Sequence, residues 1–385
     1  MTNIEKRNHP TLCFATMCKN EEHCIRETLE SVYKYIDTWV VCDTGSTDRT
    51  CEIVEEFFKE KGIPGELFHH EWIGFDVNKT KMFDACYNRS DYILHLDADD
   101  LLMGDFEFTN DDAGRLSYLV TTKRGSATYK CQIIFSNRHH WKLCGVAHTT
   151  IKCLDNVQDL TNGDLSHKNF YQISRDTGAR SQDPDKYYKD ALKLQKQFFD
   201  TLVSDPDGLN RRSVFYTAQS YMDSGRYEEA MQWYSLYTQM KDTWCEEVFE
   251  SHLRIARCMI ELKYPMGVIE YHFAQAIQIF PDRAESYYLI GKYYNQNSLH
   301  QKGYINLKMA KSLSIENALS KYVLFVNKFN YRNYINDELS VACYWTNRPE
   351  EGMRYIEEAL ADPSLSHQAT HLNSNKQHFK NKYNL

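Results

Sequence analysis

The sequence predicts two architectures in series: an α/β half built on a mostly parallel sheet, then an all-helical half. Three observations predict it. As far as residue 102, short apolar runs alternate with helix-spaced segments across short polar turns, the pattern of a parallel sheet covered by helices. One run, Tyr92-Ile93-Leu94-His95-Leu96, ends in Asp97, Asp99 and Asp100, three carboxylates within four residues. From Asp185 onward the periodicity is helical throughout.

The first strand is residues 11–17, followed by the polar turn 18–22. Residues 24–35 form a helix with Ile25, Leu29, Val32 and Ile36 on one face. Residues 39–42 are a second buried strand. They stop at Asp43-Thr44-Gly45-Ser46-Thr47-Asp48, a helix N-cap signature, before a helix over 49–61 that turns Ile53, Val54, Phe57 and Phe58 inward. Gly62-Ile63-Pro64-Gly65 breaks that helix. A short strand over 66–70 and a helix over 80–88 lead into the acidic run.

Open α/β sheets place ligands at the C-terminal edge of their strands, and the ends at 16–21, 43–46 and 97–100 fall on that edge. Asp97 and Asp99 share parity on a strand, so both are expected to face one ion, and such oxygens suit Mg²⁺ or Mn²⁺ carrying a phosphate. An acidic turn is the competing reading. Asp43 is either a hydrogen-bond acceptor for a base or ribose or the cap of its own turn. No G-x-x-x-x-G-K-[ST] or G-x-G-x-x-G loop is present.

Composition bounds the rest. A chain of 385 residues exceeds one core, and 42% hydrophobic with 25% charged residues is ordinary for a globular protein. The net charge of -8 argues against nonspecific nucleic-acid binding. The 12 cysteines include no Cys-x-x-Cys pair; Cys13, Cys18 and Cys42 sit in apolar runs and read as buried free thiols of a reducing compartment. Residues 1–10 are polar, with no apolar signal core, and no stretch has the length of a membrane span. A soluble cytoplasmic protein is the expectation.

The ordered set Met17-Cys18-Lys19-Asn20-Glu21-Glu22, Val41-Cys42-Asp43-Thr44-Gly45-Ser46-Thr47-Asp48-Arg49-Thr50 and Leu96-Asp97-Ala98-Asp99-Asp100 resembles family 2 glycosyltransferases of the GT-A fold, with Trp72-Ile73-Gly74-Phe75 and Asn78-Lys79-Thr80 between. The resemblance covers roughly residues 1–180. It implies a nucleotide-diphosphate-sugar donor, with uridine the favoured base, and inverting transfer to a hydroxyl. Thr16 and Asn20 would then line the nucleotide pocket, Asp43 would hold base or ribose, and Lys79 would offset nucleotide charge. Asp97 and Asp99 would hold ribose and metal, Mn²⁺ or Mg²⁺.

Residues 116–122 and 129–135 are strand-like, and a run over 137–149 follows. Relatives carry an aromatic, a glycine, then His and Glu in a similar run. His148 matches that histidine and is expected to ligate metal or take the acceptor's proton. Thr149 stands where relatives often have Glu, and threonine is no base. Asp155, Asp159, Asp164 and His167 follow, and spacing does not choose among them; His148 and Asp164 are the catalytic candidates taken forward. Ser174-Arg175-Asp176-Thr177-Gly178-Ala179-Arg180 forms a polar joint with Arg180 as candidate diphosphate clamp, a surface arginine being the alternative.

The boundary is placed at 180/181. Residues 181–385 read as tetratricopeptide-like helical hairpins, with units at 214–231, from Leu253, from Tyr287 and at 339–360. Small residues such as Ala256 and Gly291 let helices approach, and the tyrosines fall at packing positions. The tail from Ser364 is polar and expected to fray. The repeats suit a peptide or protein acceptor, a homodimer contact, or a buttress. Thus a metal-dependent glycosyltransferase is the leading expectation. A transferase-like scaffold that binds nucleotide or glycan and recruits partners through its repeats is the first rival. A sugar-1-phosphate nucleotidyltransferase is the second, disfavoured because residues 18–21 are not glycine-rich.

Overall fold

In the computed structural model, the structure describes residues 9–125, 127–157, 161–178, 183–327, 330–331 and 333–384. Two compact units divide at 209/210. The first begins with β1 (Leu12–Cys18), α1 (Ile25–Val32), β2 (Thr38–Asp43), α2 (Thr50–Lys61), β3 (Gly65–His69), α3 (Phe75–Cys86) and β4 (Tyr92–His95). These four strands pair in parallel in the order β3-β2-β1-β4. The sheet becomes mixed beyond β4. β7 (Ala127–Ser136) runs antiparallel to β4 and to β6 (Ser117–Arg124), and β11 (Phe170–Ile173) lies between β6 and β5 (Leu101–Gly104). The two-residue β10 (Gly163–Asp164) also pairs with β6.

The apolar runs are continuous because both faces of the sheet are covered. On β1, Leu12 and Phe14 join Ile25, Leu29, Val54 and Phe57 on the α1/α2 side. Cys13 and Ala15 join Met82, Phe83 and Cys86 on the α3 side. Cys13, Cys18 and Cys42 are buried free thiols. Gly62 closes α2 in the left-handed region at φ 67°, with its N–H donating to the Lys59 carbonyl at 3.3 Å and the Ile63 N–H to that of Phe58 at 3.1 Å. The Trp39 ring lies where a side chain at Gly65 would stand, and stacks on Phe58 at 4.4 Å.

Several elements depart from the sequence reading. The third helix starts at Phe75 rather than residue 80. The acidic strand ends at His95, and residues 97–100 form a turn closed by the Asp100 N–H on the Asp97 carbonyl at 3.0 Å, so strand parity does not orient Asp97 and Asp99. Leu101–Gly104 pairs instead with Phe170–Ile173. A separate hairpin, β8 (Trp141–Cys144) with β9 (Thr150–Cys153), carries the 137–149 run. The helix α4 (Lys186–Asp200) belongs to the first unit, whereas the sequence boundary at 180/181 assigns it to the repeats.

The second unit holds α5 (Leu209–Asp223) with α6 (Tyr227–Gln239), α7 (Cys245–Glu261) with α8 (Met266–Ile279), and α9 (Ala284–Gln296) with α10 (His300–Ser312). After the short α11 (Ile315–Lys321) come α12 (Asn333–Trp345) with α13 (Pro349–Leu360), then α14 (Ala369–Tyr383). A side chain at Gly291 would meet Leu307 at 2.7 Å, so glycine sets how closely α9 and α10 approach. The expected frayed tail is instead α14. Its Leu372 and Phe379 are buried, and the Phe379 ring occupies the space beside Gly352. The polar composition hid this stripe of two anchors one heptad apart. No helix among the described residues is long and apolar enough to cross a membrane.

Candidate active site

The loops after β1 and β2 are laced together at the C-terminal edge of the sheet. Asn20, at φ 57°, donates its N–H to Ser46 Oγ at 2.9 Å, and its Oδ1 accepts the Thr47 N–H at 2.8 Å. The Glu21 N–H donates to Thr50 Oγ1 at 2.8 Å, and the Thr44 N–H to the Cys18 carbonyl at 3.0 Å. Asp43 is buried and accepts from the Gly45 N–H at 3.0 Å and the Ser46 N–H at 3.1 Å. Burial opposes its charge, but the bonds from Ser46, Gly45 and His69 outweigh that, and its carboxyl sits below the usual range. Asp43 therefore caps its own turn, one of the two roles the sequence left open. Thr16 is fully buried on β1, and its Oγ1 has no hydrogen-bond partner.

The acidic turn after β4 is held from the other side. Gln172 Nε2 donates to Asp100 Oδ2 at 2.5 Å, and the Arg175 N–H to Asp100 Oδ1 at 3.1 Å. Arg175 Nε donates to the Asp99 carbonyl, and its guanidinium also pairs with Glu27. The Gly178 N–H donates to Asp99 Oδ2 at 2.8 Å. Burial first, then the charges of Asp97 and Asp99, push the Asp100 carboxyl up to about 7. Negative charge thus accumulates on this turn.

Lys79 answers part of it. Its side chain is 7% exposed, and Nζ lies 2.5 Å from Oδ1 of Asp97, a side chain 53% exposed. The same Nζ is 3.0 Å from His95 Nε2 and 4.7 Å from the Phe75 ring centroid. Asn78 fixes the start of α3: its Oδ1 accepts the Ile73 and Gly74 N–H groups at 2.9 and 3.1 Å, and its Nδ2 donates to the Glu71 carbonyl at 2.9 Å. One helix turn thereby presents Lys79 to the end of β4.

The helix α3 also receives the hairpin, since Thr80 Oγ1 accepts the Leu143 N–H at 3.0 Å. The loop beyond β8 carries His148, exposed and at φ 49°. Its base is fixed by α4, where Gln197 Oε1 accepts the Val146 N–H at 2.8 Å. Among the described residues, no three ligand atoms that include Asp97, Asp99 or His148 lie within 4.8 Å of one another, so His148 does not close a three-ligand set with the two aspartates. Asp164 is exposed and paired with Lys130 at 2.6 Å. Partial burial raises it, but Lys130 and Ser166 prevail and hold it down to about 2, which makes it a poor base near neutrality. From β10 to β4 the sheet crosses β6 and β7, roughly 14 Å at ordinary strand spacing. Asp155 is engaged by His139 at 3.1 Å, and His167 is exposed. Asp159 and Arg180 lie outside the described residues.

The structure thus brings Asn20 beside the Asp43 turn, and Lys79 onto Asp97, with Asp99 on the same turn. Among the described residues His148 closes no three-ligand set with the two aspartates, and Asp164 is held by Lys130 on β7. Arg175, Gln172, Gly178 and His95 are the participants that sequence reading missed. Arg175 and Gly178 lay inside the polar joint, and His95 inside the apolar run.

The donor set fits a hard divalent cation. Asp97 and Asp99 offer carboxylate oxygens beside a third carboxylate already driven toward neutrality, and Mg²⁺-type ions commonly take one or two carboxylates plus substrate phosphate oxygens. A third protein ligand is not required.

Residues 13–107 match the model of the family described as glycosyl transferase family 2. No curated protein matches the chain. Similar solved structures include MamA, 15% identical over 48% of this chain and 94% of that one, at TM-score 0.34. BtubC (BKLC) from P. vanneervenii is 13% identical over 45% and 71%, at 0.37. TTC0263, a thermophilic TPR protein in Thermus thermophilus, is 12% identical over 50% and 91%, at 0.33.

Proposed function

We propose, from a family 2 glycosyl transferase domain as premise, that the chain moves a sugar from a nucleotide-diphosphate donor, UDP-linked, to an acceptor hydroxyl. The observation that carries this reading is the buried Lys79 set against the exposed Asp97 on the acidic turn, at a strand-end edge shared with the Asn20 and Asp43 loops. The nucleotide lies over the first two loops, with Asn20 among its partners, while Thr16, fully buried, lines the floor beneath them. Asp43 shapes the backbone of its loop. Asp97 and Asp99 would hold Mn²⁺ or Mg²⁺, which when bound would supply Lewis-acid stabilisation of the departing diphosphate. Lys79 adds a second positive charge there.

The acceptor oxygen attacks the anomeric carbon as the bond from that carbon to the diphosphate oxygen breaks, and the acceptor proton needs a base. Asp164 is too strongly stabilised as a carboxylate for that task. Thr149 offers none, so we assign the proton to His148. The helical repeats are the proposed site for a peptide or protein acceptor. A panel of nucleotide sugars with and without Mn²⁺ tests the reading by thermal shift, because a ligand of the folded state raises its melting temperature. A Mn²⁺-dependent shift with a UDP-sugar supports it; no shift with any donor contradicts it.

Thr149 favours one second reading, a transferase-like scaffold that binds nucleotide without transfer. Mn²⁺-dependent donor hydrolysis that disappears in Asp99→Ala eliminates that reading.

A further inference from the structure

His95 is buried at the end of β4, a polar ring in an otherwise apolar strand. Its two ring nitrogens have different partners. Nδ1 lies 2.9 Å from the Ala15 carbonyl oxygen, which only accepts, so Nδ1 carries the proton. Nε2 is then a bare acceptor, and it faces Lys79 Nζ at 3.0 Å. Phe83 packs edge-on against the ring at 5.6 Å and prevents it from turning away. An ammonium only donates, so a ring that donates to Ala15 and accepts from Lys79 is the neutral imidazole.

Lys79 thus has two anchors of different character. Asp97 is half in solvent and is one of the groups proposed to engage ribose or metal. His95 is enclosed and engages nothing outside the protein. When Asp97 turns to its ligand, a lysine held by Asp97 alone would lose its position and recover the rotamer freedom of a long side chain. We propose that His95 is the positioning residue of the donor site: its neutral imidazole keeps the Lys79 ammonium at the diphosphate position once Asp97 is engaged by the donor or its metal. This rests on the donor-site reading of Lys79 and Asp97. A strand apolar through Leu94 needs no imidazole there for packing, and leucine would fill much of the same space.

The test is calorimetric titration of the full chain with UDP in Mn²⁺, with melting temperature recorded for each protein. His95→Leu removes the acceptor and is expected to weaken UDP binding about tenfold. His95→Gln offers Oε1 to Lys79 and is expected to stay within about threefold of wild type. In a Lys79→Met background, His95→Leu should add less than about a twofold loss, because the coupling partner is already gone. His95→Phe repeats the acceptor-free case should the leucine variant not fold. Equal losses in the Gln and Leu variants, or an undiminished loss in the Lys79→Met background, overturn the proposal in favour of a packing role. Binding by wild type with no loss in His95→Leu removes the His95 role alone. No UDP binding by wild type removes the donor-site reading, and this role with it.

Discussion

Among the described residues two lysine or arginine side chains are buried, Arg283 and Lys79, and they end in opposite situations. Arg283, fully buried before α9, meets Glu285 at 3.0 Å, Glu250 at 3.5 Å, and the carbonyls of Leu324 at 3.1 Å and Phe325 at 3.4 Å. Its carboxylate partners are buried as well. That charge is finished: every strong partner is internal, and it ties residues 324–327 to α7 and α9 together with the Asn327 N–H on Glu285 at 2.9 Å. Lys79 is nearly as deeply buried, yet its carboxylate partner stands half in solvent at the edge of the sheet. A buried charge enclosed by buried countercharges serves structure. One whose countercharge faces outward is presented to a ligand.

Substitutions should separate the two. Arg283→Ala leaves Glu250 and Glu285 without their shared cation and should cost about 3–5 kcal/mol, read as earlier denaturant unfolding of the helical unit. Asp99→Ala should lower sugar transfer or donor hydrolysis by about 10²–10³-fold, the scale for losing a principal charge-stabilising group, with its melting temperature close to wild type. The third effect comes with acid. His252 Nδ1 lies 3.0 Å from His272 Nδ1, and burial, then the neighbouring His272, lower His252 to about 4. The folded state therefore binds fewer protons than the unfolded one. That stability is complete above the ordinary histidine value near 6.5 and is lost as pH falls from there toward 4. The loss should be on the order of 2 kcal/mol after allowing for partial solvent access. The loss between pH 7 and pH 4.5 should be smaller by that amount in His252→Phe than in wild type, the other buried histidines still contributing theirs. Lys79→Met is the smallest. UDP affinity should fall about tenfold, roughly 1.4 kcal/mol, while folding stability changes by less than about 1 kcal/mol because Asp97 keeps its water. A large stability loss in Lys79→Met, or lost donor binding in Arg283→Ala without unfolding, would break the distinction.

What was legible in the sequence was what is local. The strands β1, β2 and β4 are apolar runs ending in turn residues, and the Gly62 stop is written in one residue. The loops that meet at the sheet edge could be placed together because parallel strands present their C-terminal ends on one side. The bonds that fix the acidic turn were not legible. Gln172, Arg175 and Gly178 reach it from more than seventy residues away, and no local pattern announces them. The parity of Asp97 and Asp99 misled because the strand stops at His95, one residue before the apolar run ends, and a turn follows. His95 itself was hidden by its apolar neighbours, and its role depends on a lysine one element away. Gln197, which joins α4 to the loop that carries His148, and Phe379, which seats α14 in the gap at Gly352, are likewise long-range contacts with no local signal.

The most direct measurement is equilibrium binding of UDP to wild type and to Asp99→Ala, with and without Mn²⁺. If the acidic turn and Lys79 form the donor site, wild type binds in a Mn²⁺-dependent manner and Asp99→Ala loses that dependence while remaining folded. Equal binding by both proteins with no effect of Mn²⁺, or no binding by folded wild type, would contradict it.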